Sequence, residues 1–527
     1  MLKKIYGYDN FKPLQYEIIN RVINGNDVCA VLPTGYGKSI TFQVPALYKK
    51  KPAIVISPLL SLMDDQKMGL AEIGITSCCF NSKVVDKSQM KKEILQNMYQ
   101  FIYISPEMIM YLEDFLKYLN KTVGLSLVAI DEAHCISSYG YDFRPAYRGL
   151  AFLKKILPDV PILAVTATAT EEVALDICKV LHLSTRSPMK RSFDRPNLYL
   201  EVRRKSPKPE HDIIPIVKSH SDSPIIIYCL TKKEVTKIGE ILKVNNITSG
   251  MYHAGLPDKV KEKTHSGFLS GKINVVVATI AFGMGINKSN VRVVIHYGSP
   301  KNIEGYYQEI GRAGRDGKKS YCYTFFNFRD FQMQEHFISS SPDAAYRDNQ
   351  RKLLTYINKY MQASQCRRKI LLNYFDEPYV GKCNMCDNCC GKRDIKVEIK
   401  ATKQNVCKES KMIIELLESM KNKLFGIGMY INIIRGSDNN KITSEMKKNE
   451  QYGKGKHRSI AWWKELTEYL IHIKFLQQVQ INGGRYSFQS VKVTQKGLQW
   501  ASFSGLGNLF GDIVVDNLNT VPMATTV

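Results

Sequence analysis

The sequence predicts an α/β protein with two successive parallel-sheet lobes, followed by a helical segment and a smaller terminal unit. Three observations predict it. Short β-branched runs alternate with polar-apolar stretches of helical period; the alternation restarts near residue 191; and it stops after about Ser341. Candidate strands of the first half are Val28–Leu32, Ala53–Ser57, Phe101–Ser105, Leu127–Ile130 and Ile162–Thr166. Those of the second are Ile225–Cys229, Ile273–Ala278, Val291–His296 and Tyr321–Phe326. The charged, proline-containing stretch Arg203–Glu210 follows Phe193–Val202 and reads as part of the second half.

With 527 residues the chain has room for three or four domains. Lys plus Arg number 74 against 49 Asp plus Glu, a net charge of +25. An excess of this size suits a polyanionic partner, or a merely soluble basic protein. Most of the 13 cysteines stand singly in apolar runs, as Cys29, Cys178, Cys229 and Cys322 do, in the manner of buried thiols. The odd count and the absence of a signal-type apolar segment in Met1–Asn10 point to a reducing, intracellular compartment. No run of about 18 apolar residues is present, so no membrane span is expected.

The stretch Leu32-Pro33-Thr34-Gly35-Tyr36-Gly37-Lys38-Ser39 joins the first predicted strand to a helix beginning near Ile40. A glycine-bearing loop in that position suits a triphosphate. Backbone N–H groups and the helix N-terminus face the phosphates, Lys38 reaches them, and Ser39 offers a hydroxyl to Mg²⁺. The strict phosphate-loop pattern requires Gly at position 32, where this chain has Leu. Alone, the stretch also fits a Gly-rich turn, and its downstream partners decide.

Those partners are present. Asp131-Glu132-Ala133-His134 follows the strand Leu127–Ile130. One carboxylate there can hold Mg²⁺ and the next can orient or deprotonate an attacking water. Gln308 through Asp316 carries Arg312 and Arg315 among glycines, suited to charge developing on a γ-phosphate. Ser57–Leu62, Thr166–Thr168 and Ala278–Gly285 sit at predicted strand ends, where small residues and hydroxyls permit contacts to phosphates of a threaded strand.

From Phe11-Lys12-Pro13-Leu14-Gln15 through Arg315 the chain resembles the ordered motifs of superfamily 2 helicases, and specifically the RecQ family of DNA helicases. The family-specific stretches are Asp131–Ser137, Asp142-Phe143-Arg144-Pro145, Phe193-Asp194-Arg195-Pro196-Asn197, Tyr252–Leu256 and Ala281–Lys288. The resemblance covers roughly residues 1–500, and superfamily 2 loops do not require Gly at position 32. It implies two RecA-like motor lobes that use ATP, Mg²⁺ and Zn²⁺. Gln15 reads adenine. Thr34, Gly35, Gly37, Lys38 and Ser39 bind the nucleotide, with Ser39 and Asp131 on Mg²⁺. Glu132 serves water, and His134 and Gln308 couple nucleotide state to the lobe interface. Arg312 and Arg315 face the γ-phosphate, Arg315 as the finger. One departure stands out. The family's aromatic-rich loop reads QWGHDFRP, and here it is Ser138-Tyr139-Gly140-Tyr141-Asp142-Phe143-Arg144-Pro145. Tyr139 and Phe143 retain faces for base stacking, beside Arg144, but Tyr141 replaces the usual imidazole. Core packing is the other reading of Tyr139 and Phe143.

Cys366, Cys383, Cys386 and Cys389 are spaced C-x16-C-x2-C-x2-C, which suits a closed structural zinc site. A redox pair and an iron–sulfur cluster are the alternatives. The spacing agrees with the zinc subdomain of the family. Residues 409 to about 500 resemble its winged-helix domain, with a helical stretch over Ile460–Phe475. Val479–Phe488 reads as a hairpin with Asn482-Gly483 at its turn. In the family such a hairpin can wedge at a duplex fork, which puts Arg485 and Tyr486 among the nucleic-acid contacts; an ordinary surface hairpin is the alternative.

The expected organisation is 1–190 first lobe, 191–341 second lobe, 342–408 zinc-binding subdomain, 409–505 winged-helix domain and 506–527 a tail or small docking segment. The expected activity is ATP-dependent 3′-to-5′ translocation and duplex unwinding, in repair, recombination or replication, and the expected partners are single-stranded DNA and forked or junction DNA. A monomer is expected, nuclear or cytoplasmic according to where the DNA is, with no membrane partner. The rival readings are a DEAH-type RNA helicase and a non-catalytic binding protein on a dead motor.

Overall fold

The structure is a computed structural model, and it describes residues 1–81, 84–140, 142–185, 187–283, 288–390, 403–421, 424–438, 442–483, 486–502 and 514–516. The chain divides into two compact units, one made of 1–326 and 337–392, the other of 327–336 and 393–527. Among the described residues no helix is long and apolar enough to cross a membrane.

The first unit contains both predicted sheets. In the first lobe the strands are β1 (Val28–Val31), β2 (Ala53–Ile56), β3 (Ser77–Phe80), β4 (Phe101–Ile104), β5 (Leu127–Ile130), β6 (Ile162–Thr166) and β7 (Met189–Lys190). They lie in the order β3-β4-β2-β5-β6-β1-β7, and every pairing is parallel. β1 through β6 are buried along their whole length, which is why they read as unbroken apolar runs rather than alternating ones. Phe42, Ala30, Val55, Tyr103 and Leu163 pack together in the core that supports the phosphate loop.

The second lobe contains β8 (Leu198–Arg204), β9 (Ile225–Cys229), β10 (Ser249–Tyr252), β11 (Val275–Ala278), β12 (Val293–Tyr297) and β13 (Ser320–Phe326), ordered β10-β11-β9-β12-β13-β8 and again all parallel. Four strands were not among those predicted: β3, β7, β8 and β10. All four are edge strands, and β3 and β10 lie in β-poor sequence. β3 is Ser-Cys-Cys-Phe, β10 contains Gly250, and β8 ends on Arg203 and Arg204. Such strands form because a neighbour supplies the ladder, not because of their own propensity.

The second unit is a helical body with a hairpin. Its core joins Ile413, Leu416, Ile431, Ile434, Trp462, Trp463, Leu466 and Leu470. The helix predicted over Ile460–Phe475 runs Ile460–His472 and is capped by the Ser459 hydroxyl, which accepts from Trp462 N at 3.1 Å. The hairpin is longer than predicted, Leu476–Gly483 pairing antiparallel with Tyr486–Val493. Its turn also lies further along. Asn482 pairs with Ser487 and Gly483 with Tyr486, so the chain reverses after Gly483 and not at Asn482-Gly483. The register is set at the other end, where Leu476, opposite Val493, and Val491 enter the core. Val514–Asp516, inside the expected tail, pairs antiparallel with Lys403–Asn405. Part of that segment is therefore a strand of this unit.

Candidate active site

β1 ends where the phosphate loop begins, and position 32 explains itself. Leu32 is buried and its N–H donates to Thr166 O at 2.9 Å, prolonging the β1–β6 ladder. It belongs to the strand, so glycine is not needed there. The turn proper is Pro33 to Gly37, with Gly35 at φ +78° and Gly37 at φ +89°. The helix Lys38–Lys49 starts directly after it. Gln15 braces the loop from behind: its side-chain amide donates to Tyr36 O at 2.9 Å and Gly37 O at 3.2 Å, and its oxygen accepts from Lys12 N at 2.8 Å. Lys12 Nζ donates to Gly35 O at 3.2 Å.

A cavity of about 720 Å³ opens over this loop. Gln15, Thr34, Gly35, Gly37, Lys38, Ser39, Asp131, Glu132, Gln308, Arg312 and Arg315 all line it, so residues distant in sequence from both lobes meet there. Asp131 and Glu132 follow β5, and Glu132 takes φ +49°, a left-handed conformation rare outside glycine. Burial and the adjacent Glu132 carboxylate push the Asp131 carboxyl up, while Lys38 draws it back. Burial alone would raise Glu132 too, but Lys38, His134 and Arg312 together hold it well below the usual carboxylate range. The two groups therefore differ: Glu132 is held ionised, and Asp131 is pushed toward its neutral form. His134 Nδ1 lies 2.8 Å from Thr166 Oγ1 and 3.3 Å from Glu132 Oε2. Burial opposes charge on this ring, but Cys135 and Glu132 outweigh it and raise it to about 10.

From the second lobe, Gln308 Nε2 reaches Thr168 Oγ1 at 3.5 Å. Arg315 lies over the phosphate loop, and burial followed by the charges of Arg312 and Arg195 lowers it to about 9. Thr166 and Thr168 are buried and spend their hydroxyls on His134 and Gln308. Both side chains are buried, so neither hydroxyl is open to a threaded strand in this arrangement.

The four cysteine sulfurs of Cys366, Cys383, Cys386 and Cys389 lie within 4.8 Å of one another. A tetrahedral thiolate site places sulfurs about 3.8 Å apart, so the set fits one zinc ion. Cys390 is exposed and outside the cluster. The loop is fastened to the edge strand β8. Leu200 N donates to Met385 O at 3.1 Å, and Val202 N donates to Asp387 Oδ2 at 3.1 Å. Arg367 grips Asp387 through Nε and Nη2 at 2.9 and 3.1 Å. Arg368 pairs with Asp194 and donates to Leu198 O at 2.8 Å.

Family models match four stretches: DEAD/DEAH box helicase over 12–176, helicase conserved C-terminal domain over 209–317, RecQ zinc-binding over 328–390, and RQC domain over 400–503. The Bacillus subtilis protein named ATP-dependent DNA helicase RecQ is 37% identical over 508 residues, covering 94% of this chain and 82% of its own. The chain belongs to the RecQ family of helicases. A protein of Acanthamoeba polyphaga mimivirus, provisionally named an ATP-dependent RNA helicase, is 58% identical over 531 residues, covering 100% of this chain and 96% of its own. Among solved structures, Saccharomyces cerevisiae Dbp5 bound to RNA and ADP BeF3 superposes with a TM-score of 0.51 at 19% identity, covering 68% of this chain and 90% of that one. That likeness concerns the fold alone.

Within the RecQ framework several residues come to light that motif reading passed over. Arg195 is the foremost. Its guanidinium donates to Thr34 O at 3.4 Å in the first lobe, and to Ala313 O and Gly314 O at 2.9 Å in the second. It thus links the phosphate loop to the arginine loop. In sequence, a lone Arg between Asp and Pro carries no sign of its partners. Asp27 at the start of β1 accepts from Ile162 N and Ser184 N at 2.9 Å and from Lys154 Nζ at 3.0 Å. Gln66 Nε2 donates to Asp131 Oδ2 at 3.4 Å.

The aromatic-rich loop carries the remaining predicted contacts. Tyr139 is 53% exposed and Phe143 is half-buried. Arg144 is engaged with the protein, donating to Pro58 O at 3.0 Å and to Asp142 Oδ2 at 3.3 Å. Asn349, on the helix Ala344–Gln362, reaches the carbonyls of Ser138, Gly140 and Tyr139 at 3.3, 3.4 and 3.5 Å. Tyr141, the stretch Met284–Asn287 and Arg485 lie outside the described residues, as does the side chain of Tyr486.

Proposed function

We propose that this chain is an ATP-dependent DNA helicase that translocates 3′ to 5′ and separates duplex strands. The observation that carries the reading is the convergence of Lys38, Asp131 and Glu132 from one lobe with Arg312 and Arg315 from the other on a single cavity. Lys38 binds phosphate. Glu132, held ionised, orients the attacking water and accepts its proton. Arg312 and Arg315 balance the charge that develops on the γ-phosphate. Ser39 and Asp131 would hold Mg²⁺, which when bound neutralises the β- and γ-phosphate oxygens. The buried Asp131 carboxyl, raised by its neighbour, suits a cation at that position. Because both lobes contribute to one nucleotide, binding closes them and hydrolysis lets them part, and the change in grip moves the strand.

DNA is preferred over RNA as the track because the RecQ zinc-binding and RQC models match beside the motor, and the Bacillus relative is named a DNA helicase. The mimivirus relative's name favours RNA. Unwinding of matched DNA and RNA forks with ATP separates the two. Strand separation on the DNA fork alone supports the proposal, and separation on RNA alone overturns it. The +25 charge adds a further expectation, that DNA affinity falls steeply with salt.

A further inference from the structure

We propose that His134, Cys135 and Asp142 form a second metal site, for an ion of the zinc class, apart from the four-cysteine cluster. The three ligand atoms lie within 4.8 Å of one another. His134 Nε2 is 3.7 Å from Cys135 Sγ, and Cys135 Sγ is 3.9 Å from Asp142 Oδ2. Ligands of a tetrahedral zinc ion bound through S, N and O stand about 3.5 Å apart, so contraction by a few tenths of an ångström closes the set. A thiolate, an imidazole and a carboxylate are together a zinc donor set, and three protein ligands leave a fourth position for water.

The surroundings are those of a metal-binding histidine. The ring nitrogen away from the site, Nδ1, is hydrogen-bonded by Thr166 Oγ1 at 2.8 Å, with Glu132 Oε2 at 3.3 Å. A hydroxyl and a carboxylate behind the ring fix its orientation and leave Nε2 toward the metal side. His134 and Cys135 are buried, and Asp142 is the half-exposed member at the mouth. Arg144 Nη2 lies on the same Asp142 Oδ2 at 3.3 Å while its Nη1 is on Pro58 O at 3.0 Å, so the carboxylate turns to give Oδ1 to the arginine when Oδ2 goes to the metal. Gly140 closes the loop against the site, since a Cβ there would stand 2.7 Å from His134 O.

Binding releases two protons to solvent, one from the Cys135 thiol and one from His134 Nε2, and ties Asp142 of the aromatic-rich loop to His134 beside Glu132. Occupancy therefore clamps the loop whose Tyr139 and Phe143 offer faces for stacking on the strand. The clamp rests on the proposed helicase activity, whereas the site itself does not.

The test is a titration of the full chain, its four-cysteine site already loaded, with Zn²⁺ followed by calorimetry and with Co²⁺ followed by thiolate-to-metal charge-transfer absorption. Wild-type protein is expected to take up a second equivalent. Cys135→Ser should abolish the new absorption, and Asp142→Asn, at the accessible mouth, should weaken affinity at least about tenfold. Absence of a second equivalent in wild-type protein overturns the site, and so does one that persists unchanged in both variants. In ATP turnover assays, Zn²⁺ beyond the first equivalent should remove stimulation by single-stranded DNA, and a mild chelator should restore it. Full stimulation at full occupancy overturns the clamp.

Discussion

The side chain of Arg315 rests directly on Gly35: a Cβ at that glycine would stand 2.9 Å from Arg315 Cγ and 3.2 Å from Cδ. The second lobe's arginine is thus seated on the phosphate loop of the first lobe, and only a residue without a side chain allows it.

Gly35→Ala should therefore harm two things at once. It places a side chain at φ +78°, costing about 1 kcal/mol, and it displaces Arg315. ATP turnover should fall by an order of magnitude or more with DNA binding retained. Gly35→Ala on an Arg315→Ala background should lose little further turnover, and the double-mutant cycle measures that coupling.

Lys38→Ala and Glu132→Gln should fail at different steps. The first removes the loop cation, so nucleotide affinity and turnover should both collapse. The second keeps shape and cation but cannot accept a proton, so nucleotide should still bind while hydrolysis falls by about 10²–10⁴. Binding of a fluorescent nucleotide beside steady-state turnover distinguishes the two.

Asp27 makes the first lobe acid-sensitive. Burial would raise its carboxyl, but the Ile162 and Ser184 amides and Lys154 lower it overall. A carboxyl lower in the folded than the unfolded state contributes stability that is complete above its unfolded value of about 3.9 and is lost as pH falls through its folded value. Asp27→Ala strips three donors of their acceptor and should cost about 3–5 kcal/mol near neutral pH. Thermal melts of both proteins from neutral to acid pH should converge as pH falls.

Metal removal should act on folding before chemistry. Cys383→Ser, or a strong chelator, opens the four-thiolate set and frees the loop that Arg367, Asp387 and Met385 fasten to β8. The expected result is a lower melting temperature and loss of one zinc per chain by metal analysis. Iron and sulfide in place of zinc would contradict the assignment.

Asn349 should matter to coupling rather than to hydrolysis itself. It spans the carbonyls of Ser138, Tyr139 and Gly140 without touching the nucleotide cavity. Asn349→Ala should change the ratio of DNA-stimulated to unstimulated turnover, with little change in the unstimulated rate.

The two sheets, the phosphate loop and the cysteine cluster were all legible in the sequence because each is a local pattern. Buried parallel strands are continuous apolar runs, Lys38 and Ser39 sit at a fixed distance from their glycines, and Cys383, Cys386 and Cys389 are spaced along one short stretch. Edge strands such as Ser77–Phe80 and Ser249–Tyr252 were not, since their hydrogen bonds come from a neighbour. The hairpin turn was misplaced for a related reason: Asn482-Gly483 is a strong local turn signal, but Leu476 and Val491 at the far end set the register.

Chain folding alone decided what spans the lobes. Arg195 is separated from Thr34 by 161 residues and from Gly314 by 119, and nothing near it in sequence names either carbonyl. The same holds for Asp27 beneath β6 and for Asn349 against the aromatic-rich loop. Motifs report which atoms can do chemistry. Which lobe meets which, and through whose guanidinium, depends on hydrogen-bond directions that exist only once both sheets have formed and their loop ends face one another.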